Sequence, residues 1–271
     1  MDDINRFIKE DLGDGGDITS DSLFTSEVSK AKIIAKGEGI VAGAEEVKKI
    51  FEKLKVTTHF FSNDGDFVKK YEIIAELKGK ATSILKAERL TLNILGRMSG
   101  IATETKKLVD IVKKINPNVT IAATRKTTPG FRKYEKKAVL IGGGEPHRMG
   151  LYDAILIKDN HLKIVGSIEV AIKTIKQKIK DKIIEIEVEN EKDAIKAAGL
   201  DVDVIMLDNF EPESAKKTAI KIRKINSKIL IEISGGITIE NIKKYASFAD
   251  RISLGCITHS VKNIDFSLEV I

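Results

Sequence analysis

The chain has 271 residues, of which 42% are hydrophobic and 32% charged, and its formal net charge is +6. This composition is typical of a folded globular protein and excludes disorder as the main state. No apolar run reaches the roughly 18–20 residues that span a bilayer, and the acidic N-terminus lacks the hydrophobic segment of a signal peptide. The single cysteine, Cys256, excludes a disulfide framework. We therefore expect a cytoplasmic protein with no membrane partner.

The excess positive charge does not by itself indicate a nucleic-acid partner. Lysines and glutamates are mixed along the predicted helices, and only 5% of the residues are aromatic. Sites for single-stranded nucleic acid interleave aromatic and basic side chains. A lysine-rich solvated surface or a small anionic substrate therefore explains the charge better.

The first part of the chain, up to about residue 79, predicts a mixed sheet. Residues 82–115 then carry apolar side chains at helical spacing, interrupted near Ser99–Gly100. This interruption predicts two helices and a domain boundary near residue 115. In the first part, the patterns predict strands at residues 31–36 and 71–77, a helix at 43–54 and a turn at 63–67.

From residue 119 onward, six short apolar runs alternate with helical patterns. Near-continuous apolar strands between helices are typical of a parallel sheet that is buried on both faces. Six units are too few for an eight-fold barrel, so we predict an α/β fold with an irregular open barrel. The strands are predicted at residues 119–123, 154–157, 183–186, 204–207, 229–233 and 251–254, and helices at 167–179, 191–198, 213–225 and 238–245.

Polar or glycine-rich residues follow all six predicted strands, and the carboxylates Glu187 and Asp208 end two adjacent ones. Reacting groups in parallel α/β folds lie at the carboxyl ends of the strands, so Glu187 and Asp208 are expected to face the same mouth. Paired carboxylates can hold a divalent metal, bind sugar hydroxyls or stabilise a developing positive charge. Glu185 and Glu189 share the strand parity of Glu187, so the pattern leaves open which of the three points inward.

Two glycine-containing turns follow the last two predicted strands. Ser234–Gly236 ends the fifth strand, and a helix is expected to begin near Thr238. Glycines let the backbone approach a phosphate, which a helix N-terminus also attracts. Gly255, after the sixth strand, would complete the same phosphate site, whereas an ordinary tight turn is the alternative interpretation.

A dense set of cations is expected at the same mouth. Several cations around one site indicate a substrate with more than one carboxylate or phosphate. The alternative is that an ion pair with Lys158 or Arg148 neutralises Glu187. The histidines at 147, 161 and 259 match no zinc spacing, so we expect no zinc. The basic set comprises Arg125, Lys126, Arg132, His147, Arg148 and Lys158.

Several of these segments carry a resemblance to one family. In chain order they are Glu10–Thr19, Thr124–Gly130, Gly142–Arg148, Gly150–Asp153, Ile157–His161, Glu187–Asn190, Leu207–Phe210, Ser234–Gly236 and the terminal Leu-Gly with His259. Together they resemble nicotinate-nucleotide pyrophosphorylase (carboxylating), also called quinolinate phosphoribosyltransferase, a type II phosphoribosyltransferase. The resemblance extends over essentially the whole chain, although Pro146 stands where many members carry Asn.

This resemblance implies a reaction, a cofactor and an architecture. The expected reaction converts quinolinate and phosphoribosyl pyrophosphate to nicotinate mononucleotide, pyrophosphate and CO2 with Mg²⁺, a step of de novo NAD biosynthesis. The expected assembly is a homo-oligomer, a dimer or hexamer, with shared active sites. The implied domains are an N-terminal α/β sandwich with connecting helices (1–115), an open α/β barrel with the active site (116–262) and a C-terminal strand returning to the first domain (263–271).

The resemblance also assigns roles to individual residues. It implies that quinolinate binds Arg125, His147, Arg148 and Lys158, together with Arg89 of a neighbouring subunit. Lys126, Glu187 and Asp208 are the implied catalytic residues; the two carboxylates also bind the metal. Phosphoribosyl pyrophosphate is expected at Lys126, Glu187, Asp208, Ser234, Gly235, Gly236, Gly255 and His259.

Two other functions remain open at this point. One is the related molybdenum-transport-associated phosphoribosyltransferase-like paralogue, against which the intact Lys158–His161 run argues. The other is a non-enzymatic barrel protein that binds a sugar phosphate or nucleic acid. Its binding to nucleic acid would depend steeply on salt, whereas the convergent carboxylates favour an enzyme.

Overall fold

A computed structural model describes residues 2–271, which form two compact units. The first unit contains residues up to 106 together with 137–142 and 260–271, and the second contains residues 107–136 and 143–259. The first segment of the first unit thus ends at residue 106, whereas the sequence pattern predicts a boundary near residue 115. No helix of the described residues is both long enough and apolar enough to cross a membrane.

The chain forms eleven α-helices and twelve β-strands within the described residues. In chain order they are α1 (Asp3–Leu12), α2 (Ile18–Leu23), β1 (Val28–Ala35), β2 (Gly39–Ile40), α3 (Ala44–Lys53), β3 (Thr57–Phe60), β4 (Phe67–Val68), β5 (Ile73–Lys80), α4 (Ala81–Lys113), β6 (Thr120–Ala123), α5 (Arg132–Ile141), β7 (Ile155–Ile157), α6 (Asp159–Val165), α7 (Ile168–Lys178), β8 (Ile184–Val188), α8 (Glu191–Ala198), β9 (Val204–Asp208), α9 (Pro212–Ile225), β10 (Leu230–Ser234), α10 (Lys243–Ala246), β11 (Arg251–Leu254), α11 (Cys256–His259) and β12 (Phe266–Val270).

The first unit is built on an antiparallel four-stranded sheet with the order β12-β1-β5-β3. Alternate residues of β1, namely Ala31, Ile33 and Ala35, are fully buried, because side chains of a strand point to opposite faces. The C-terminal strand β12 pairs antiparallel with β1, with Ile33 opposite Leu268. Strands β2 and β4 form a separate two-stranded sheet.

Helix α4 corrects the prediction of two helices broken near Ser99–Gly100, since it is one helix of 33 residues. The two glycines in it serve close packing. A Cβ at Gly100 would lie 2.3 Å from the carbonyl oxygen of Lys262, and one at Gly96 would lie 2.8 Å from that of Ile264. The Ser99 hydroxyl accepts a hydrogen bond from the Ala42 amide at 2.9 Å. Tertiary contacts therefore explain why serine and glycine, which suggest a helix break in the sequence, occur in the middle of α4.

The second unit contains a six-stranded parallel sheet with the order β6-β11-β10-β9-β8-β7. This is the strand order of a barrel that stays open between β6 and β7. The α/β class with an open barrel is thereby confirmed. The gap is partly occupied, since Glu145 forms a parallel bridge with Ala122 of β6. The strands are buried through Ile121, Ile186, Ile205, Ile231 and Ile252, each at most 1% exposed.

The helix predicted at residues 238–245 is wrong in its extent, because only Lys243–Ala246 is helical. The Asn241 side chain closes the preceding turn instead. Its Oδ1 accepts from the Thr238 amide at 2.8 Å, and its Nδ2 donates to the Gly236 carbonyl at 2.9 Å. Such side-chain hydrogen bonds compete with helix formation. No helix N-terminus therefore lies at Thr238.

Candidate active site

A cavity of about 360 Å³ opens at the carboxyl ends of the parallel strands in the second unit. The ends of parallel strands share one edge of the sheet, which explains why residues distant in sequence meet here. The register places Asp208 beside Ser234. The lining residues are Ala123, Thr124, Arg125, Lys126, His147, Arg148, Leu156, Lys158, Glu187, Met206, Asp208, Glu232, Ser234 and Ser253.

Five of the residues to which the resemblance assigns a role do not line this cavity, and neither does Arg132 of the predicted basic set. Gly255 and His259 are nevertheless adjacent to Lys126, since a Cβ at Gly255 would lie 2.8 Å from His259 Nε2 and 3.0 Å from Lys126 Cδ. Gly235 has φ +79°, and a Cβ there would lie 2.3 Å from Asn209 Oδ1, so the turn requires glycine. The remaining two are Gly236, which follows in the same turn, and Arg89, which is exposed on α4 of the first unit.

The cations that line the cavity form what we call its basic wall: Arg125, Lys126, His147, Arg148 and Lys158. His147 has a left-handed backbone with φ +52°. Its Nε2 lies 3.2 Å from Glu185 Oε2 and 3.5 Å from Glu232 Oε2. Burial disfavours the imidazolium, but the hydrogen bonds to these two carboxylates outweigh it and raise the pKa of His147 to about 9. His147 is therefore a cation at neutral pH.

The two glutamates beneath His147 are almost fully buried. Arg251 contacts Glu232 Oε2 at 3.0 Å and Glu145 Oε1 at 2.9 Å, and the Ser253 hydroxyl donates to Glu232 Oε1 at 2.5 Å. Burial raises the pKa of Glu185, whereas the hydrogen bond with His147 and the charges of His147 and Arg251 outweigh burial at Glu232 and lower its pKa. This network holds a charged imidazole at the floor of the cavity.

Within the described residues, neither Arg125 nor Arg148 of the basic wall forms an ion pair with a carboxylate. Arg125 Nε is buried and has no hydrogen-bond partner within residues 2–271. Arg148 donates weakly to the Ala154 carbonyl at 3.5 Å, and its pKa is lowered by burial and by the charge of Arg125. A buried donor without a partner costs free energy, so the cavity is suited to an anion that accepts from both arginines.

The acidic wall is formed by Glu187 and Asp208 at the ends of β8 and β9. Glu187 lines the cavity, Glu185 is buried below it and Glu189 is exposed, which resolves the ambiguity of strand parity. Glu187 pairs with Lys158 Nζ, so the ion pair considered from sequence is present. Asp208 Oδ2 accepts from Asn209 Nδ2 at 2.7 Å. Both carboxylates can stabilise positive charge in the cavity.

Sequence reasoning missed the supporting residues of the basic wall: Lys136, Glu232 and Arg251. The sequence does offer a signal for Glu232, because it is the single charged residue of the apolar run 229–233. The structure shows that it is fully buried. Arg251 is the first residue of the sixth predicted parallel strand, 251–254, and nothing in the pattern distinguishes it from an ordinary first residue of a strand. Lys136 lies in a lysine-rich helix, where nothing in the pattern distinguishes it from its exposed neighbour Lys133.

Comparisons with known proteins identify the family. The profile described as "Quinolinate phosphoribosyl transferase, N-terminal domain" matches residues 17–99, and that of the C-terminal domain matches residues 101–269. A protein of Archaeoglobus fulgidus named "Probable nicotinate-nucleotide pyrophosphorylase [carboxylating]" is 46% identical over 259 residues, covering 94% of this chain and 98% of the relative. A protein of the same name from Bacillus subtilis is 44% identical, covering 98% of this chain and 92% of the relative.

The fold agrees with these sequence matches. The crystal structure of nicotinate-nucleotide pyrophosphorylase from Ehrlichia chaffeensis superposes with a TM-score of 0.93 at 37% identity, covering 99% of this chain and 97% of that one. Both domains and nearly the full length are therefore matched in sequence and in structure, and the chain belongs to the quinolinate phosphoribosyltransferase family.

Proposed function

We propose that this chain transfers the phosphoribosyl group of phosphoribosyl pyrophosphate to the ring nitrogen of quinolinate. Pyrophosphate and CO2 leave, and nicotinate mononucleotide is formed for NAD biosynthesis. The observation that carries this proposal is that one cavity is lined both by the cations of the basic wall, Arg125 and Arg148 among them, and by the carboxylates of the acidic wall, Glu187 and Asp208. A pyridine dicarboxylate fits the first wall, and a ribosyl centre that becomes positive fits the second.

The reaction follows from this arrangement. Arg125, His147, Arg148 and Lys158 bind the two carboxylates and orient the ring nitrogen towards the ribosyl carbon. As the bond to pyrophosphate breaks, Glu187 and Asp208 stabilise the oxocarbenium-like charge. The new nitrogen–carbon bond makes the ring a pyridinium, which accepts the electron pair released with CO2, and a proton then replaces the lost carboxyl group.

We propose that a separate set of residues binds the phosphate groups of phosphoribosyl pyrophosphate. Lys126, Ser234, Gly235, Gly236, Gly255 and His259 are assigned to phosphoribosyl pyrophosphate. Gly235 and Gly236 have positive φ, and turns with successive residues in such conformations can direct their backbone amides towards a phosphate. Because no helix begins at Thr238, this turn is proposed to bind through its amides and the Ser234 hydroxyl without a helix dipole.

Magnesium is proposed as the cofactor, held by Glu187 and Asp208 together with the pyrophosphate of the substrate. These two carboxylates line the same cavity at the ends of neighbouring strands. That arrangement fits Mg²⁺, which is commonly bound by one or two carboxylates and substrate phosphates. When bound, the ion neutralises the charge that develops on the leaving pyrophosphate.

The direct test is formation of nicotinate mononucleotide from quinolinate and phosphoribosyl pyrophosphate. We expect one pyrophosphate and one CO2 for each product, and loss of activity on chelation of Mg²⁺ with recovery on its return. Nicotinate in place of quinolinate should react poorly, because it lacks the second carboxylate. Equal turnover of both pyridines would contradict the assignment of the basic wall.

We propose that the protein is a homo-oligomer with shared active sites, in which Arg89 of one subunit completes the active site of its neighbour. Its side chain is exposed and does not line the cavity. Arg89→Ala and Arg125→Ala should each be nearly inactive, whereas mixed proteins that exchange subunits should recover about one quarter of wild-type sites, by the symmetry of a two-fold dimer. Demonstrated exchange without recovery would show that Arg89 does not act on a neighbouring site.

The cytoplasm is proposed as the compartment, because the chain has a single cysteine and therefore no disulfide of its own to maintain.

A further inference from the structure

Lys136 of α5 is a fully buried lysine whose partners are backbone carbonyl groups. It is 1% exposed. Its Nζ donates to the carbonyl oxygen of Pro146 and, at 2.8 Å, to that of Arg148. These two carbonyls flank His147, the residue with the left-handed backbone. The Lys136 ammonium group thus binds the carbonyl groups on both sides of His147 in the chain.

The charged surroundings of Lys136 oppose its charge. Four charged groups face the Lys136 ammonium group. They are Arg132 of the same helix, Arg148 of the 146–148 loop that Lys136 binds, Arg125 after β6, and Asp153. Burial is the largest cause and, with the three arginines against the one aspartate, lowers the pKa of Lys136 to about 8. A buried cation among cations destabilises a fold, so its position is better explained by what it does for the cavity.

A second cation of α5 holds the same loop. Arg132 donates from Nη1 to the Met149 carbonyl at 3.0 Å and from Nε to the Thr127 hydroxyl at 2.8 Å. Carbonyls of three of the four residues from 146 to 149 therefore accept from cations of one helix. A left-handed non-glycine residue persists only where surrounding contacts hold it, and these hydrogen bonds provide such contacts for His147.

We propose that Lys136 is a positioning residue for the pyridine dicarboxylate. It does not line the cavity. It acts through the 146–148 loop, orienting His147 and Arg148 towards the carboxylates and adding positive potential behind them. This inference rests on the proposed function, because it concerns the substrate assigned to the basic wall.

The experiment compares three lysine variants by steady-state kinetics, after thermal unfolding has verified each fold. Lys136→Met should raise KM for quinolinate roughly tenfold or more, because charge-assisted hydrogen bonds are lost. It should change KM for phosphoribosyl pyrophosphate by less than about twofold. Lys136→Arg should restore most of the quinolinate affinity. Lys133→Met is the matched control, since it removes an exposed lysine from the same helix, and should behave as wild type.

A pH profile separates positioning from a merely structural role. In wild type, KM for quinolinate should rise between about pH 7 and pH 8.5, as Lys136 loses its proton and before most of His147 does. In Lys136→Arg the rise over this window should be much smaller, because guanidinium remains charged and only a minority of His147 loses its proton. This comparison also decides the matter if Lys136→Met fails to fold.

Three results would overturn the inference: an equal rise of both KM values in Lys136→Met, an unchanged quinolinate KM, or a wild-type pH dependence that persists in Lys136→Arg. Failure of the proposed function is a distinct result, because wild-type protein would then form no nicotinate mononucleotide from quinolinate at any pH. In that case the present inference falls with it.

Discussion

Two consecutive lysines of α5 have opposite surroundings. Lys137 lies 2.6 Å from a Glu45 oxygen, 2.9 Å from Glu46 and 3.5 Å from Asp64. Burial disfavours its charge, but these carboxylates outweigh it and raise the pKa of Lys137. Lys136 instead has arginines as neighbours, and its pKa falls to about 8. Because successive helix residues are about 100° apart around the axis, identical side chains of one helix meet different partners.

The difference indicates how the molecule uses charge in its two regions. Lys137 is paired with three carboxylates, so its positive charge is neutralised, which is what a fold requires of a partly buried ion. Around Lys136, positive charge is left in excess, and Arg125 Nε is buried without a partner within the described residues. Uncompensated charge next to a cavity is expected where a charged ligand completes the set. Variants in the region of the cavity should therefore alter catalysis, and variants around Lys137 should alter stability.

The largest effect is expected for Asp208→Asn. Loss of the carboxylate that we propose to stabilise the ribosyl centre should lower kcat by about 10²–10³-fold, with a much smaller change in quinolinate affinity and no change in Tm. Single-turnover and steady-state kinetics measure both quantities. Asp201→Asn, at an exposed position of the same unit, serves as the control. A change confined to quinolinate affinity would rule out the proposed role.

Arg148→Ala should be next in size. A bound carboxylate loses its charge-assisted partner, so quinolinate binding should weaken by about 2–4 kcal/mol while binding of phosphoribosyl pyrophosphate is spared. The contrasting variant is Arg223→Ala, which removes hydrogen bonds to the Phe248 carbonyl and to Asp250. It should lower Tm and leave the quinolinate KM unchanged. Equal weakening of both ligands by Arg148→Ala would contradict its assignment to quinolinate.

The sequence predicted more of the architecture than of the support beneath the site. All six parallel strands were located, because buried runs ending in polar residues are a local signal, and the cavity brings together Arg125, His147, Lys158, Glu187 and Asp208 as a parallel sheet requires. Which of these residues performs which role stays a prediction.

The errors have a common physical cause. The turn at 238 is the exception, because Asn241, which closes it, lies only three residues from Thr238. Helix α4 continues through Ser99–Gly100 because those residues pack against distant backbone. Lys136 was missed for the same reason, since its carbonyl partners lie ten and twelve residues away. Local patterns do not contain such tertiary partners.

The pH dependence of stability distinguishes two buried cations, His147 and Lys136. The pKa of His147 is raised from 6.5 to about 9, so its contribution is complete below pH 6.5 and is lost as pH rises to 9. The pKa of Lys136 is lowered, so the folded protein regains stability as pH rises through about 8. The free energy of unfolding should thus fall from pH 6.5 to 8, on the order of 2 kcal/mol at most, and flatten above it.

Urea unfolding at a series of pH values measures this curve. His147→Asn should remove most of the fall, and Lys136→Met should remove the flattening, so that stability continues to decrease towards pH 9. A wild-type curve that rises between pH 6.5 and 8 would contradict the charged state assigned to His147.

The smallest effect is expected for Lys137→Met, which leaves the carboxylates of Glu45, Glu46 and Asp64 facing one another without their cation. Because the lysine is partly exposed, solvent screens the pairs, and we expect a loss of about 1 kcal/mol of unfolding free energy. Both KM values and kcat should match wild type, with Lys133→Met again as the control. If Lys137→Met instead raised the quinolinate KM as Lys136→Met is expected to do, any lysine of this helix would serve the cavity, and the contrast between the two neighbouring lysines would lose its meaning for function.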